Sequence, residues 1–311
     1  MLRVATYNLH QYGQVMGGDA FAAQLDRFSA IVRDLDADVV LVQEIVSASS
    51  EGGSVLLQQL AEASGLACVV PVAGGGVGQV ALGAAGSGYH TGILWDPATI
   101  TPVPGSVRSY GVEDGLHHAL VVADLEVPGG GRLRFGSYHA DPFRPGRRVE
   151  EALRVASAFR RGPAGVLGGD FNNIGADRSP RGGFYDPDPF AALPWDRQWL
   201  FQCEWAEDTA VADGGHRADR GPGHVLRRAG LVDAAAVLDV PWEPTAGHRG
   251  GGIHPARRID GIRVSAGLVP ALRSHRVVRT AQTVEASDHL PVVVELDPAA
   301  LTAVLTAVVA E

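Results

Sequence analysis

Val166-Leu167-Gly168-Gly169-Asp170-Phe171-Asn172-Asn173 is the stretch that most narrows what this chain can become. A short apolar run leads in, as a buried strand does, and then gives way to two glycines, an acid and two amides. An ionised carboxylate in a core is very costly unless it meets a metal or a partner. At a strand end, Asp170 and Asn172 point to the same side. A carboxylate beside a neutral amide suits a hard cation and a phosphate oxygen together. Taken alone, the same residues also read as an Asx-rich turn closing a strand. The rest of the chain decides between the two.

Similar runs recur. Leu2–Leu9 alternates as a strand and ends on Asn8, and Asp38–Val42 is a continuous apolar strand ending on Gln43-Glu44. Between them, Phe21, Leu25, Phe28, Ile31, Val32 and Leu35 fall at helical spacing over Ala20–Leu35. Leu56–Ala63, Val149–Phe159 and His224–Ala229 read as further helices, and Val69–Val72 and Thr91–Trp95 as strands. Val121–Val127 and Arg132–His139 read as a hairpin joined by the Pro128–Gly131 turn. Ile259–Val264 and Pro291–Leu296 are strands beside charged clusters. Gly74–Gly88 is glycine-rich and reads as a mobile surface loop. Residues 174–222 are long and irregular, yet Phe190, Trp195, Trp199 and Trp205 give them enough aromatic mass to pack, so an ordered insertion is expected. With no repeat and no linker, residues 1–311 read as one domain closed by an apolar tail at 299–311.

Composition removes several functions. All 26 basic residues are arginine, so lysine-dependent chemistry is ruled out. The first 131 residues carry 4 arginines against 13 acids, and the remainder 22 of each. That is not the basic footprint of a protein gripping long duplex DNA. Cys68 and Cys203 supply no disulfide framework, metal spacing or redox motif, and read as buried thiols of a reducing, cytoplasmic compartment. Met1 runs straight into a strand-like segment without the regions of a secretory signal, and the apolar tail is too short to span a bilayer. No membrane partner is expected.

Six polar groups fall at the ends of expected strands, read as C-terminal ends: Asn8, Glu44, His139, Asp170 with Asn172, Asp260, and Asp288-His289. Each alone has an ordinary reading as a cap, a turn, an ion-pair residue or a structural histidine. Open α/β sheets place ligands outside their strand ends, so together the six can converge. Through Thr6-Tyr7-Asn8, the Asp38–Glu44 segment, Ser137-Tyr138-His139, Gly169-Asp170-Phe171-Asn172, Arg258-Ile259-Asp260 and Ser287-Asp288-His289, the chain resembles the endonuclease/exonuclease/phosphatase superfamily, the DNase I-like fold. The segments occur in the family's order over nearly the whole length.

The resemblance implies an α/β (α+β) fold, a four-layer α/β/β/α sandwich with its site at one edge, and a metal-dependent hydrolase of phosphoesters. It makes Glu44 a principal ligand of Mg²⁺, with Mn²⁺ as a substitute, and puts Asn8 and Asp288 nearby. Asp170 and Asn172 would orient the attacking water and the phosphate oxygens. His289, held by Asp260, would contact the scissile phosphate or act as general base. His139 would hydrogen-bond a phosphate oxygen or help the leaving group. Elementary chemistry agrees: phosphoester hydrolysis needs charge neutralisation, an aligned water and a protonated leaving group. Mg²⁺ favours one or two carboxylates plus waters and substrate oxygens.

The chain departs from several branches of that family. Abasic-site nucleases usually carry a lysine shortly after the metal glutamate, where this chain has Ile45-Val46. Secreted DNases carry signals and disulfides. Substrate choice then belongs to the loops, with Arg144, Arg147 and Arg148 as candidate contacts to a second phosphate. Arg178 and Arg181 are weaker candidates. His117-His118 and His254 lack partners at metal spacing and read as ordinary. The reading is a Mg²⁺-dependent phosphodiesterase acting on a nucleotide or short nucleic acid. A phosphomonoesterase on a small phosphorylated metabolite and a catalytically silent binding module are the alternatives.

Overall fold

The structure is a computed structural model that describes residues 1–14, 17–72, 74–129, 131–191, 193, 197–204, 217–249 and 254–309. In chain order it runs β1 (Leu2–Tyr12), α1 (Gly18–Asp34), β2 (Val39–Val46), α2 (Ser50–Ser64), β3 (Val69–Val70), β4 (Gln79–Val80), β5 (Leu82–Gly83) and β6 (Tyr89–Trp95). There follow β7 (Thr101–Pro102), β8 (Arg108–Tyr110), β9 (Ala119–Val127), β10 (Gly131–His139), α3 (Pro145–Arg160), β11 (Gly165–Asp170), α4 (Gly221–Arg228) and β12 (Leu231–Asp233). The chain closes with α5 (Ala234–Leu238), β13 (Asp260–Ser265), β14 (Leu272–Val277), α6 (Ala281–Ala286), β15 (Val292–Leu296) and α7 (Pro298–Val309).

Two sheets carry the molecule, in the orders β14-β15-β1-β2-β6-β5 and β12-β13-β11-β10-β9-β7. Period-two alternation decides which faces meet. Leu2, Val4, Val39 and Leu41 of the first sheet bury against Phe135, Val166, Ile262 and Val264 of the second. The opposite face of the first sheet, with Ala5, Tyr7, Val40 and Val42, packs on Phe28, Ile31 and Val32 of α1 and on Leu57 and Leu60 of α2. Tyr138 and Leu167, on the outer face of the second sheet, pack on Ala152 and Val155 of α3 and Leu226 of α4. The result is helix, sheet, sheet, helix, the four layers that the resemblance implied.

The glycine pair ahead of Asp170 has a packing reason. A Cβ on Gly168 would lie 2.7 Å from Leu41 and 2.9 Å from Thr6 of the facing sheet. A Cβ on Gly169 would lie 2.0 Å from the Tyr138 carbonyl oxygen of the neighbouring strand. Polar side chains bridge the sheets at the same level: Gln43 donates to Ser137 Oγ at 2.9 Å, and Ser137 donates to the Val42 carbonyl at 2.8 Å.

Three expectations change, and an edge strand is added that the sequence reading did not name. Gly74–Gly88 is not simply a loop, because Gln79–Val80 pairs with Val69–Val70, Leu82–Gly83 pairs with β6, and Ala81 is fully buried. Most of the glycines there flank short strands, and Gly83 lies within one. The helix read from Leu56 begins at Ser50, since Ser49 caps it by accepting from the Gly52 N–H and Gly65 ends it at φ +76°. Gly52 and Gly53 hid that first turn; a Cβ on Gly53 would strike the His90 ring at 2.6 Å. The added strand, β14, pairs β15 despite its charged sequence, as an edge strand can. Third, Asp260 opens its strand, and Asp288-His289 precede β15, so they are not at C-terminal ends. They reach the same edge because β13 and β15 run antiparallel to β11 and β1. In the 174–222 segment, Phe190 and Trp199 pack with Ile174, Cys203 and Ile259; Trp195 and Trp205 lie outside the described residues.

Candidate active site

Parity delivers most of the site. Asn8 continues the inner face of β1 set by Leu2 and Val4, His139 continues that of Leu133 and Phe135, and Asp170 that of Val166 and Gly168. Asp260 shares the inner face of β13 with Ile262 and Val264. Glu44 does not follow the rule. Its position would send it with Val40 and Val42 to the helix side, but the pairing of β2 shifts between Val42 and Ile45. Glu44 takes the extra place at φ +62°, and Ile45 fills the helix-side position in its stead. A matching irregularity in β1 between Asn8 and Tyr12 holds His10 at φ +44° and Gln11 at φ +62°. Non-glycine residues in this region carry strain that clusters at functional sites.

The side chains then meet. Asn8, fully buried, donates from Nδ2 to Glu44 Oε1 and to Asp170 Oδ2, both at 3.1 Å. The Gln11 N–H reaches Glu44 Oε2 at 2.9 Å. Asn172, at φ +50°, donates its N–H to Asp170 Oδ1 at 3.0 Å and its side-chain amide to the Ala140 carbonyl at 3.2 Å. His289 donates from Nδ1 to Asp260 Oδ2 at 2.8 Å, and its Nε2 lies 3.8 Å from Asp170 Oδ2. His139 brings Nε2 to 3.5 Å from the same oxygen. His10 Nδ1 sits 2.7 Å from Asp288 Oδ1.

Burial and crowding set the charges. Burial, and then the nearby Asp260 carboxylate, push Asp170 up to about 7. Burial opposes a charge on His289, yet the carboxylates of Asp260 and Asp170 outweigh it and raise the imidazole to about 10. His139 goes the other way: burial, then the adjacent His118 and His289, hold it well below the ordinary histidine value. Burial also opposes the charge of Asp288, but His10 and His289 keep it well below the usual carboxylate range. The site therefore offers one imidazolium, one neutral imidazole and one carboxyl poised near neutrality.

These groups open on a cavity of about 340 Å³ lined by Glu44, His139, Asp170, Asn172, Asp288 and His289. The sequence profile of the Endonuclease/Exonuclease/phosphatase family matches residues 5–289, which spans all of them. The chain belongs to that family. As a family member it is a hydrolase of phosphoester bonds, and the family is generally dependent on a divalent metal. No curated protein sequence matches the chain. Solved structures share the fold at low identity. A 3′ phosphatase from Neisseria is 20% identical at a TM-score of 0.58, covering 96% of this chain and 100% of its own. A mannosyl-6-phosphatase from Bacteroides thetaiotaomicron is 18% identical at 0.55, with 96% and 100% covered. An AP endonuclease from Archaeoglobus fulgidus is 15% identical at 0.56, also with 96% and 100% covered.

The donor set of this family member fits a hard divalent ion. Glu44 and Asp170 both turn an oxygen toward the single Asn8 amide, and burial, then the Asp260 carboxylate, make the Asp170 charge one that a cation would stabilise. Asp170, Asp260 and His289 also bring one ligand atom each within 4.8 Å of one another. Asp260 already accepts the hydrogen bond of the His289 Nδ1–H, however, so that trio is a hydrogen-bonded chain more than an open donor set.

None of the three candidate arginines lines the cavity among the described residues. Arg148 is fully buried, paired with Asp219 at 3.1 Å and bonded to the Asp141 and Phe201 carbonyls, which makes it a structural clamp. Arg144 is held by Asp141, and Arg147 lies 3.9 Å from both Asp141 and Glu151. Arg178 stacks over Phe184, and Arg181 pairs with Asp239. Three residues escaped the sequence reading. His10 supports Asp288. His118, read as ordinary, stacks on His139 with ring centroids 4.1 Å apart. Arg257, masked by its neighbour Arg258, lies beside His289 in a second cavity. A signal for His118 existed: the hairpin pairs Ala119 with His139, so the register carries its neighbour to the site.

Proposed function

We propose that this hydrolase cleaves a phosphodiester in a nucleotide or short nucleic acid with Mg²⁺, by in-line attack of water. The observation that carries the reading is the sharing of one buried amide, that of Asn8, between Glu44 and Asp170, with the His289–Asp260 pair against the same Asp170 oxygen. Glu44 would be the principal metal ligand, with Asn8 and Asp288 beside it. The ion, where bound, neutralises charge on the phosphoryl oxygens and lowers the cost of approach of water.

The chain's own groups do the rest. Asp170, oriented by the Asn172 N–H and the Asn8 amide, takes the proton of the attacking water as general base. His289, a cation fixed by Asp260, binds a non-bridging phosphate oxygen; its raised pKa favours that role over general base. His139 is neutral and donates a hydrogen bond to a second phosphate oxygen, a role its low pKa favours over proton donation to the leaving group. The two buried free thiols, Cys68 and Cys203, suit a reducing compartment, and we place the protein in the cytoplasm. Among the described residues no helix is long and apolar enough to cross a membrane.

A panel of oligonucleotides, dinucleotides, nucleoside monophosphates, sugar phosphates and bis(p-nitrophenyl) phosphate, each with Mg²⁺ and with EDTA, tests this. Diesters cleaved faster than monoesters support the reading. Faster cleavage of a sugar monophosphate, the ester class named for the Bacteroides structure, replaces it with the phosphomonoesterase. No cleavage of any ester leaves a silent binding module.

A further inference from the structure

His289 and Asp288 form a wall with two sides. Behind it lies a second cavity, of about 200 Å³, whose lining includes Arg257, Arg249, His248 and His254, none of them used above. Arg257 and Arg258 are neighbours with opposite surroundings. Arg258 is buried and satisfied, with Asp186 at 2.7 Å and Asp233 at 3.0 Å. Arg257 is only 8% exposed, and its Nε and Nη1 are buried with no hydrogen-bond partner among the described residues. No carboxylate there lies within ion-pair distance of it.

The Phe201 ring lies 5.9 Å from the Arg257 Cζ, but buried guanidinium donors without a hydrogen-bond acceptor are unfavourable unless something else completes them. Burial pulls Arg257 below the ordinary arginine value, and the more distant charges of Asp170, Asp260 and Asp288 offset this only in part. Its fork of donors matches the oxygens of a phosphate. The surroundings agree in sign. Arg249 is fixed on the same lining by the Val284 and Glu285 carbonyls. The one carboxylate on the described lining, Asp288, is occupied by His10. Ala246 bridges to Arg257 and to His289, so the two backbones stand two strand spacings apart, roughly 10 Å.

We infer that this cavity is a phosphate subsite in which Arg257 takes a second phosphate group of the substrate whose ester lies at His289. The inference rests on the phosphoesterase reading and narrows it to substrates carrying a terminal phosphate beyond the scissile ester.

The test uses the full chain with Mg²⁺ and three dinucleotides: thymidylyl-thymidine, and the same compound with a 5′- or a 3′-terminal phosphate. The wild type is expected to favour one phosphorylated form in kcat/KM by about 10- to 100-fold, the range of hydrogen bonds to charged groups. Arg257→Met should abolish that preference, and Arg257→Lys should keep part of it, with melting curves confirming the fold. A wild type without preference, or a preference that survives Arg257→Met, overturns the subsite. If Arg257→Met does not fold, the Lys variant and the wild-type preference decide. If the wild type cleaves nothing, the phosphoesterase reading fails by itself. The subsite is then judged by calorimetric titration of inorganic phosphate in EDTA: about tenfold weaker binding to Arg257→Met supports it, and equal binding overturns it.

Discussion

Replacing Asp260 with asparagine should convert His289 from a cation to an ordinary titrating imidazole. In the metal-free protein His289 stands at about 10 against an ordinary 6.5, which corresponds to about 5 kcal/mol in favour of the imidazolium. The larger attraction is that of Asp260, whose two oxygens lie 2.8 and 3.0 Å from Nδ1; Asp170, 3.8 Å from Nε2, supplies the next. Burial works against the charge, so with Asp260 neutral the imidazole should fall well below its wild-type value. The sign for stability follows. A raised histidine contributes stability that is complete below 6.5 and is lost as pH rises through about 10. The metal-free wild type should therefore lose melting temperature between pH 7 and 10, while Asp260→Asn, lower at pH 7, changes little over that window. The assay is an NMR titration of the His289 ring with melting curves at each pH, and turnover measured alongside. Turnover should fall by about 10²–10³-fold, the cost of losing one donor to the charge of the transition state. A wild-type His289 that titrates near 6.5, or a variant ring still charged at pH 9, refutes the reasoning.

Other outcomes follow from the same contacts. Asp170, raised to about 7, is protonated in the metal-free protein at low pH, so Mg²⁺ should raise the melting temperature strongly at pH 8 and hardly at pH 5, as proton and cation compete. Glu44→Gly and Glu44→Ala should both lose metal-dependent turnover, but at φ +62° the glycine variant should be the more stable by about 1 kcal/mol in denaturant melts, the reverse of the usual order. Arg258→Met leaves Asp186 and Asp233 buried without their cation and should destabilise by about 3–5 kcal/mol in the same assay. Gly169→Ala drives a methyl into the Tyr138 carbonyl and should destabilise by about 3 kcal/mol, with an added loss of turnover because Asp170 moves with it.

The sequence was most informative where side-chain periodicity alone decides geometry. The two-residue period that buries Leu2 and Val4 also carries Asn8 inward, and the same holds for His139 and Asp170, so their convergence could be read before any coordinates. Glu44 is different, since parity alone sends it to the wrong face and only a bulge returns it; its motif gave it away, not its period. Asp260 and His289 were read as partners, and their side chains meet at 2.8 Å, but they were placed at the wrong ends of their strands, because strand direction depends on pairing that no local pattern encodes. Arg148 and Arg257 show the deepest limit. Both are arginines near a site motif, and only three-dimensional neighbours separate the one clamped by Asp219 from the one whose Nε and Nη1 find no hydrogen-bond partner among the described residues.

The most direct test of the central claim is hydrolysis of a dinucleotide in ¹⁸O-water, with Mg²⁺ or with EDTA, read by mass spectrometry of both products. In-line attack of water at phosphorus, dependent on the metal, predicts one ¹⁸O in the phosphate-bearing product, none in the alcohol, and no reaction in EDTA. Undiminished cleavage in EDTA, or label in the alcohol, would contradict it.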